Sequence, residues 1–239
     1  MSVGLVPTMG ALHDGHRALL RRARAECDRV IMSLFVNPTQ FDAGADYQSY
    51  PRDEARDREI AAAEGVDEVY APTIDEMYPD GYRTSVHMGD VAARFEGEHR
   101  PGHFDGVATV VLKLFQRLRP DAAYFGRKDA QQLAVVRQMV RDLDVGVEIR
   151  PVDTVREPDG LAISSRNVLL SREARQRAPS LHQALLVRDP AVCEGELDYL
   201  AVVDPETFVE VDPQRGALVV GAARFGRVRL LDNILLESG

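Results

Sequence analysis

The sequence predicts an α/β fold: a mostly parallel sheet with helices on both faces, followed by a small α+β unit. Three observations predict it. Short apolar runs of strand length alternate with segments of helical period as far as residue 155. Polar, glycine-bearing stretches follow several of those runs directly, where an open α/β sheet collects its ligand site. Beyond about residue 171 the alternation gives way to one more helix and then to long β-rich runs. Strands joined through helices require right-handed crossovers, and so parallel pairing.

The elements follow in order. Residues 2–7 read as a short buried strand, and residues 16–27 carry Ala18, Leu19, Ala23 and Cys27 at helical spacing with arginines between. Asp14 is the expected N-cap of that helix. Residues 30–36 form a continuous apolar run, the second strand; 51–64 a polar, alanine-bearing helix; and 68–71 a third strand. Residues 104–118 form an apolar helix with Val107, Val110, Val111, Leu114 and Leu118 on its buried stripe. A strand at 122–125 leads to a helix at 129–143 with Leu133, Val136 and Val140 inward, and 145–155 is strand-like again. Residues 173–186 read as a single helix, and LDYLAVVD and ALVVGAARFGRVRLLDNILL as the strands of the appendage. The boundary is expected near Leu170, giving units 1–170 and 171–239, with no internal repeat or low-complexity tract.

With 239 residues, 45% hydrophobic and 28% charged, the chain can bury a sizeable core. No apolar run approaches the ~20 residues a membrane span needs, and the start shows no secretion signal, so a cytoplasmic protein with no membrane partner is expected. Cys27 and Cys193 form no CxxC pair and read as two reduced thiols. The formal charge of −9 argues against a nucleic-acid or anionic-membrane binder, while leaving room for a locally basic pocket. Lys113 and Lys128 are the only lysines in an arginine-rich chain. A lysine retained in such a background suggests a need for a compact ammonium. Lys113, inside an apolar helix, is more simply a snorkelling side chain.

The chemistry concentrates at strand ends. VPTMGALHDGH (residues 6–16) places His13 and His16 where the first strand meets a helix N-terminus. Free N–H groups and the positive dipole end suit a phosphate there. Gly10 and Gly15 allow close backbone approach, and two imidazoles can stabilise charge that builds as phosphorus is attacked. The same histidine pair would also suit a metal, or a simple cap and a surface residue, and those alternatives stay open at this point. FVNPTQF (35–41) puts the neutral amides of Asn37 and Gln40 after the second strand, suited to a hydroxylated or carboxylate ligand. YFGRKDAQQL (124–133) repeats the strand–glycine–helix pattern, with Lys128 beside Asp129 and Gln132 one turn on. DGLAISSRN (159–167) offers hydroxyls and a guanidinium that can close over a triphosphate, or a serine cluster that caps a helix.

Together these segments, with YPR (50–52), FEGEHRPGHFDGVATVVLKLF (95–115) and DGLAISSRNVLLS (159–171), resemble the pantothenate synthetase (pantoate–β-alanine ligase) family of HxGH nucleotidyltransferases. The resemblance covers residues 3–171 and 197–236. It implies a Rossmann-like catalytic domain, ATP-dependent formation of pantoyl adenylate from (R)-pantoate with Mg²⁺, and attack by β-alanine to give pantothenate and AMP. It also implies a homodimer. Carried over by position, Met9, Gly10, His13, Gly15 and His16 belong to the ATP loop, with His16 as the catalytic acid. Gln40 and Gln132 hold pantoate beside Met9. Gly126, Lys128 and Asp129 contact ATP, and Val155 lines the adenine pocket. Ile163, Ser164, Ser165 and Arg166 form a flexible loop over the phosphates, and Asp57 lies in the neighbourhood of Mg²⁺. The chain departs from the family pattern at Arg127, usually Glu, and Ile163, usually Met. Ile163 is expected to meet ATP through its backbone. Against the family, the chain starts nearly at its first strand and is shortened between Leu186 and Leu197. That shortening reduces the lid over ATP, which makes a nucleotide binder without turnover one alternative to the ligase; a different HxGH nucleotidyltransferase is another, and the paired Gln40 and Gln132 speak against it.

Overall fold

The computed structural model describes residues 1–41, 47–48 and 50–237. Strand β1 (Val3–Thr8) carries four fully or nearly buried residues and lies at the centre of a five-stranded sheet. Burial on both faces explains its near-continuous apolar sequence. It pairs in parallel with β2 (Arg29–Leu34) on one side and β4 (Ala122–Gly126) on the other. Strands β3 (Glu68–Tyr70) and β5 (Glu148–Val152) complete the order β3-β2-β1-β4-β5, all parallel. The direction of winding reverses between β1 and β4, and a crevice opens there at the carboxyl ends of the strands.

Helices cover both faces, as expected. On one face α1 (Asp14–Glu26) and α2 (Glu54–Ala63) pack Leu20, Ala23, Ile60 and Ala61 against Val6, Val30, Met32 and Tyr124. A short helix, α3 (Ile74–Met77), closes with the fully buried Met77, and α4 (Glu96–His99) precedes the long α5 (His103–Leu118). On the other face α5 and α6 (Ala130–Asp142) bury Val107, Val111, Leu114, Phe115, Val135, Val136 and Met139 against Leu5, Ile31 and Phe125. At about 1.5–3 kcal/mol for each fully buried large side chain, α5 and α6 are the chief anchors of the crevice wall. Lys113 on α5 holds its ammonium 4.5 Å from the Tyr82 ring centroid, so it covers an aromatic surface rather than entering the crevice.

The strand expected over 145–155 is the shorter β5 and the helix expected over 51–64 is the shorter α2, while three other boundaries differ for a local reason. The N-cap of α1 is His13, not Asp14. The helix expected from 129 begins instead with a 3₁₀ turn, Arg127–Asp129, before α6. The single helix expected over 173–186 is two, α7 (Arg172–Arg177) and α8 (Pro179–Val187). Pro179 lacks the N–H that would continue α7, yet fits the first turn of α8.

The C-terminal part is a three-stranded antiparallel sheet, β6 (Glu196–Val203), β7 (Leu218–Phe225) and β8 (Val228–Leu235), in the order β6-β7-β8. The run 217–236 is a hairpin turning at Gly226, whose φ is +62°. Val203, Leu218 and Val220 join the same buried cluster as α5 and α6. Leu161, Leu181, Phe225 and Leu230 form a third cluster under α7 and α8.

Candidate active site

The first wall of the site is backbone. After Thr8 the chain turns through Gly10 (φ +87°) and Ala11 (φ +51°), two successive residues in the left-handed region. A Cβ on Gly10 would stand 2.8 Å from Asp57 Oδ2 and 2.9 Å from Leu34 Cδ1, so glycine is required twice over, by conformation and by space. The turn is held by Asp57, only 1% exposed. Its two oxygens accept the N–H groups of Ala11 (2.9 Å) and Leu12 (2.8 Å). This gives Asp57, which the sequence reading sets in the neighbourhood of Mg²⁺, a role in holding the turn. Both oxygens are occupied by backbone donors, and among the described residues no group of three or more His, Cys, Asp or Glu is placed to hold a metal.

The two histidines form a reciprocal cap. His13 Nδ1 accepts the Gly15 N–H at 3.1 Å, and His16 Nδ1 accepts the His13 N–H at 3.3 Å. Each Nδ1 is thereby an acceptor, so the proton of each neutral ring sits on Nε2. The ring centroids are 4.1 Å apart. Burial, then the Lys128 charge, lowers His13 to about 4; burial, then His13, lowers His16 to about 3. At neutral pH the pair is uncharged and presents N–H donors. In that state the proton His16 has to offer is the one on Nε2.

The second wall follows β2. Asn37, 1% exposed, donates through Nδ2 to Gln40 Oε1 (3.2 Å) and to the Gly106 carbonyl (3.1 Å), and its Oδ1 accepts from the Tyr78 hydroxyl (2.8 Å). Gln40 Nε2 points at Met9 Sδ, 3.2 Å away. Its backbone is gripped from the end of α4 and the start of α5: the Gln40 carbonyl accepts from His103 Nδ1 (2.8 Å) and Arg100 (3.2 Å), and His103 Nε2 faces Arg100 at 3.2 Å. Burial, then Arg100, lowers His103 to about 4, which keeps it neutral between these partners.

The third wall follows β4 and β5. Lys128 Nζ donates to Asp129 Oδ1 at 3.2 Å. Burial works against ionisation of Asp129, but Lys128, and then Arg166, outweigh it and hold the carboxyl below its ordinary range. Arg127 turns to Asp153, Nε to Oδ1 3.0 Å, so its charge is matched outside the lysine pair. The Ile163 N–H donates to the Val155 carbonyl at 3.0 Å. That N–H is therefore occupied, which leaves the Ile163 carbonyl for the backbone contact with nucleotide that the sequence reading expects. Ser164 Oγ accepts the Arg166 N–H (3.3 Å) and its carbonyl accepts the Asn167 N–H (3.0 Å), so this serine holds a local turn, and the 3₁₀ turn Asn167–Leu169 that follows has no side-chain cap.

These walls enclose a cavity of about 260 Å³. Met9, His13, Gly15, His16, Gln40, Gly126, Lys128, Asp129, Gln132, Val155, Ile163, Ser164, Ser165 and Arg166 all line it; Gly10 and Asp57 support it from behind. Sequence reading missed Glu96, Arg100, His103, Tyr199, Asp232 and Asn233, which also line it. RPGH carried a usable signal, a Pro-Gly turn leading charged residues into an apolar helix. The last three lie on antiparallel strands with no local motif.

A family model for pantoate-β-alanine ligase matches residues 1–235. The chain is 47% identical to a pantothenate synthetase of Aquifex aeolicus, covering 99% of this chain and 92% of that one. It is 51% identical to one of Thermus thermophilus, covering 97% and 92%. The aligned stretch with the Aquifex protein, 258 positions, exceeds the 239 residues of this chain, so that relative carries internal residues absent here. A crystal structure of the Thermus thermophilus enzyme superposes with a TM-score of 0.95 at 50% identity, covering 100% of this chain and 94% of that one. A Francisella tularensis pantoate-β-alanine ligase, solved with β,γ-ATP and β-alanine, superposes at 0.87 and 37% identity, covering 100% and 91%. The chain belongs to the pantoate–β-alanine ligase family, the pantothenate synthetases, which are ATP-dependent ligases that form an amide bond.

Proposed function

We propose that this chain condenses (R)-pantoate and β-alanine to pantothenate in two steps within the one cavity. In the first, a pantoate carboxylate oxygen attacks the α-phosphorus of ATP, an O–P bond forms, and pyrophosphate leaves. In the second, the β-alanine amine attacks the acyl carbon of the pantoyl adenylate, AMP leaves with the C–O bond pair, and the amine gives up a proton. Adenylation replaces an oxide leaving group by AMP, so the protein's task is to align reactants and stabilise charge.

The observation that carries this reading is the convergence of phosphate-type donors and neutral amides on one cavity. His13 and His16 offer Nε2–H groups at the N-terminus of α1, where unpaired backbone donors and the helix dipole also favour polyphosphate. In this reading Lys128, Arg166 and Ser165 follow the charge onto departing pyrophosphate, with Ser164 shaping their loop. Gly126, Asp129, Val155 and Ile163 flank the nucleotide, and Gly10 and Gly15 keep the backbone close. Met9, Gln40 and Gln132 receive pantoate through neutral groups, which bind a carboxylate without neutralising it. Mg²⁺ enters as part of the MgATP substrate, held by phosphate oxygens and water.

The proposal extends to a division of labour near Leu170, between a catalytic unit and a smaller C-terminal lid, and to a cytoplasmic homodimer. Sedimentation of the full chain at micromolar concentration tests the dimer. The chemistry is tested by exchange of ³²P-pyrophosphate into ATP with Mg²⁺, with and without (R)-pantoate and without β-alanine. Exchange that requires pantoate, and is mostly lost in His16→Ala and Lys128→Ala, is the expected result. A folded, ATP-binding protein without exchange would sink the ligase reading in favour of a non-catalytic binder. Exchange independent of pantoate would point to another nucleotidyl transfer.

A further inference from the structure

The turn that carries Lys128 lacks a helix cap of its own. Neither the 3₁₀ turn Arg127–Asp129 nor the start of α6 receives a side-chain cap from its own N-cap residue. Its tether comes instead from β8, more than a hundred residues downstream. Asn233, 7% exposed, donates both hydrogens of its side-chain amide, one to the Arg127 carbonyl and one to the Lys128 carbonyl, each at 2.9 Å. Two adjacent carbonyl acceptors fix which end of the amide faces them.

Asn233 is itself held firmly. Its N–H donates to Asp232 Oδ1 at 2.8 Å, and its carbonyl accepts from Arg156 at 3.0 Å. Arg156 also forks onto both Asp232 oxygens at 2.7 and 2.8 Å, and His182 Nδ1 meets Asp232 Oδ2 at 3.1 Å. A forked guanidinium–carboxylate pair fixes direction as well as distance. The strand thus presents its amide from a rigid base, and the same base grips the segment leading to the Ile163–Arg166 loop.

We infer that Asn233 is a positioning residue that sets Lys128 for phosphate through the two carbonyls of its turn, so that the C-terminal sheet tunes the pyrophosphate end of the site. This rests on the reading of Lys128 as a phosphate ligand. Among the twenty side chains, only an amide of this length supplies two donors here; aspartate has the same shape but sets an anion against two carbonyl oxygens.

The test uses full-length Asn233→Ala, Asn233→Ser, Asn233→Asp, Lys128→Ala and the Asn233→Ala/Lys128→Ala pair. Pyrophosphate exchange gives kcat and KM separately for MgATP and for pantoate, and circular dichroism at the assay temperature reports folding. The expected result is a fall of about 10²-fold in kcat/KM for MgATP in Asn233→Ala, a displacement-sized effect. Loss should be smaller in Asn233→Ser and larger in Asn233→Asp, with the pantoate KM unchanged. In the Lys128→Ala background, Asn233→Ala should cost less than about twofold more, because both act through one group. Additive losses, equal damage to the pantoate and MgATP parameters, or failure of both Asn233→Ala and Asn233→Ser to fold would overturn the inference. A Lys128→Ala protein with unaltered MgATP parameters would instead remove the reading of Lys128 beneath it.

Discussion

Gly106 gives a small handle on the proposed pantoate role of Gln40, against whose backbone it packs. It lies in the first turns of α5, against the 3₁₀ turn Pro38–Gln40 that carries Gln40. A Cβ built there stands 2.4 Å from the Thr39 carbonyl oxygen, 2.7 Å from its carbon and 2.9 Å from the Gln40 nitrogen. All three are backbone atoms, so no rotamer change relieves the clash. Ordinary contact begins at 3.4 Å, which requires the Thr39–Gln40 peptide to retreat by about 1 Å. That movement pulls on the Asn37 and His103 bonds that fix Gln40. Overpacking of this kind costs about 1–3 kcal/mol, and the higher helix propensity of alanine returns up to about 1 kcal/mol. Gly106→Ala should therefore fold, with a Tm lowered by several degrees at about 2–4 °C per kcal/mol. Its larger effect should be on function, since a 1 Å misplacement commonly costs about 10²-fold. Pantoate-dependent pyrophosphate exchange should show kcat/KM for pantoate down by about that factor, with the MgATP KM within about twofold of wild type. Unchanged pantoate kinetics in a folded Gly106→Ala protein would refute the claim that the α5 contact positions Gln40.

Three other outcomes follow from the same geometry. His13, His16 and His103 are lowered by burial to about 4, 3 and 4 from 6.5 in the unfolded chain, so the stability they contribute is complete above pH 6.5 and is lost as pH falls toward 4. Each adds a slope of at most about 1.4 kcal/mol per pH unit; urea midpoints that stay level from pH 7.5 to 4.5 would contradict neutral burial. Asp57→Asn replaces one acceptor of a backbone N–H by a donor, and a bond to a charged group contributes about 1.5–3 kcal/mol. ATP should bind roughly 10-fold or more weaker, while the Mg²⁺ concentration giving half-maximal activity stays put; a shift in that concentration would support the metal reading. Arg127→Glu breaks only a pair whose side chains are 43% and 94% exposed. A change of less than about 1 kcal/mol, read as MgATP KM within about fivefold, is expected; a larger loss would assign Arg127 to the phosphates.

What the sequence discloses is set by the range of the interaction. The alternation of β1, α1 and β2 is local, and so is HxGH at a strand-to-helix junction. The break at Pro179 was equally local and follows from the missing N–H. The N-cap was misplaced because Asp14 satisfies the ordinary preference, whereas the observed cap uses an imidazole as acceptor, with His16 returning the bond. Asp57 offers only a charge on a polar helix until the fold brings it to Ala11 and Leu12, some 45 positions back. Asn233 and Asp232 sit on a strand whose alternation explains burial but not partner, and their meaning arises only where β8 meets the turn after β4.

A chain of net charge −9 that binds a polyphosphate must solve a local problem, and it does so without a large cationic cluster. Lys128 is paired with Asp129, Arg127 with Asp153, and both histidines of the loop are neutral. Two imidazolium rings 4.1 Å apart would repel each other and would favour the ground-state polyphosphate and the leaving pyrophosphate alike. Binding that is uniform along the reaction lowers KM without raising kcat. In the proposed adenylation, neutral Nε2–H donors fixed by the reciprocal cap would respond most strongly where charge density grows, on the bridging oxygen as its bond to the α-phosphorus breaks. In the proposed reaction the ammonium of Lys128 turns from Asp129 to that growing charge, and Arg166 remains as a positive charge near the carboxylate. In the proposed mechanism, the paired, nearly neutral character of the resting site is thus what would let it discriminate between the bound and the reacting nucleotide.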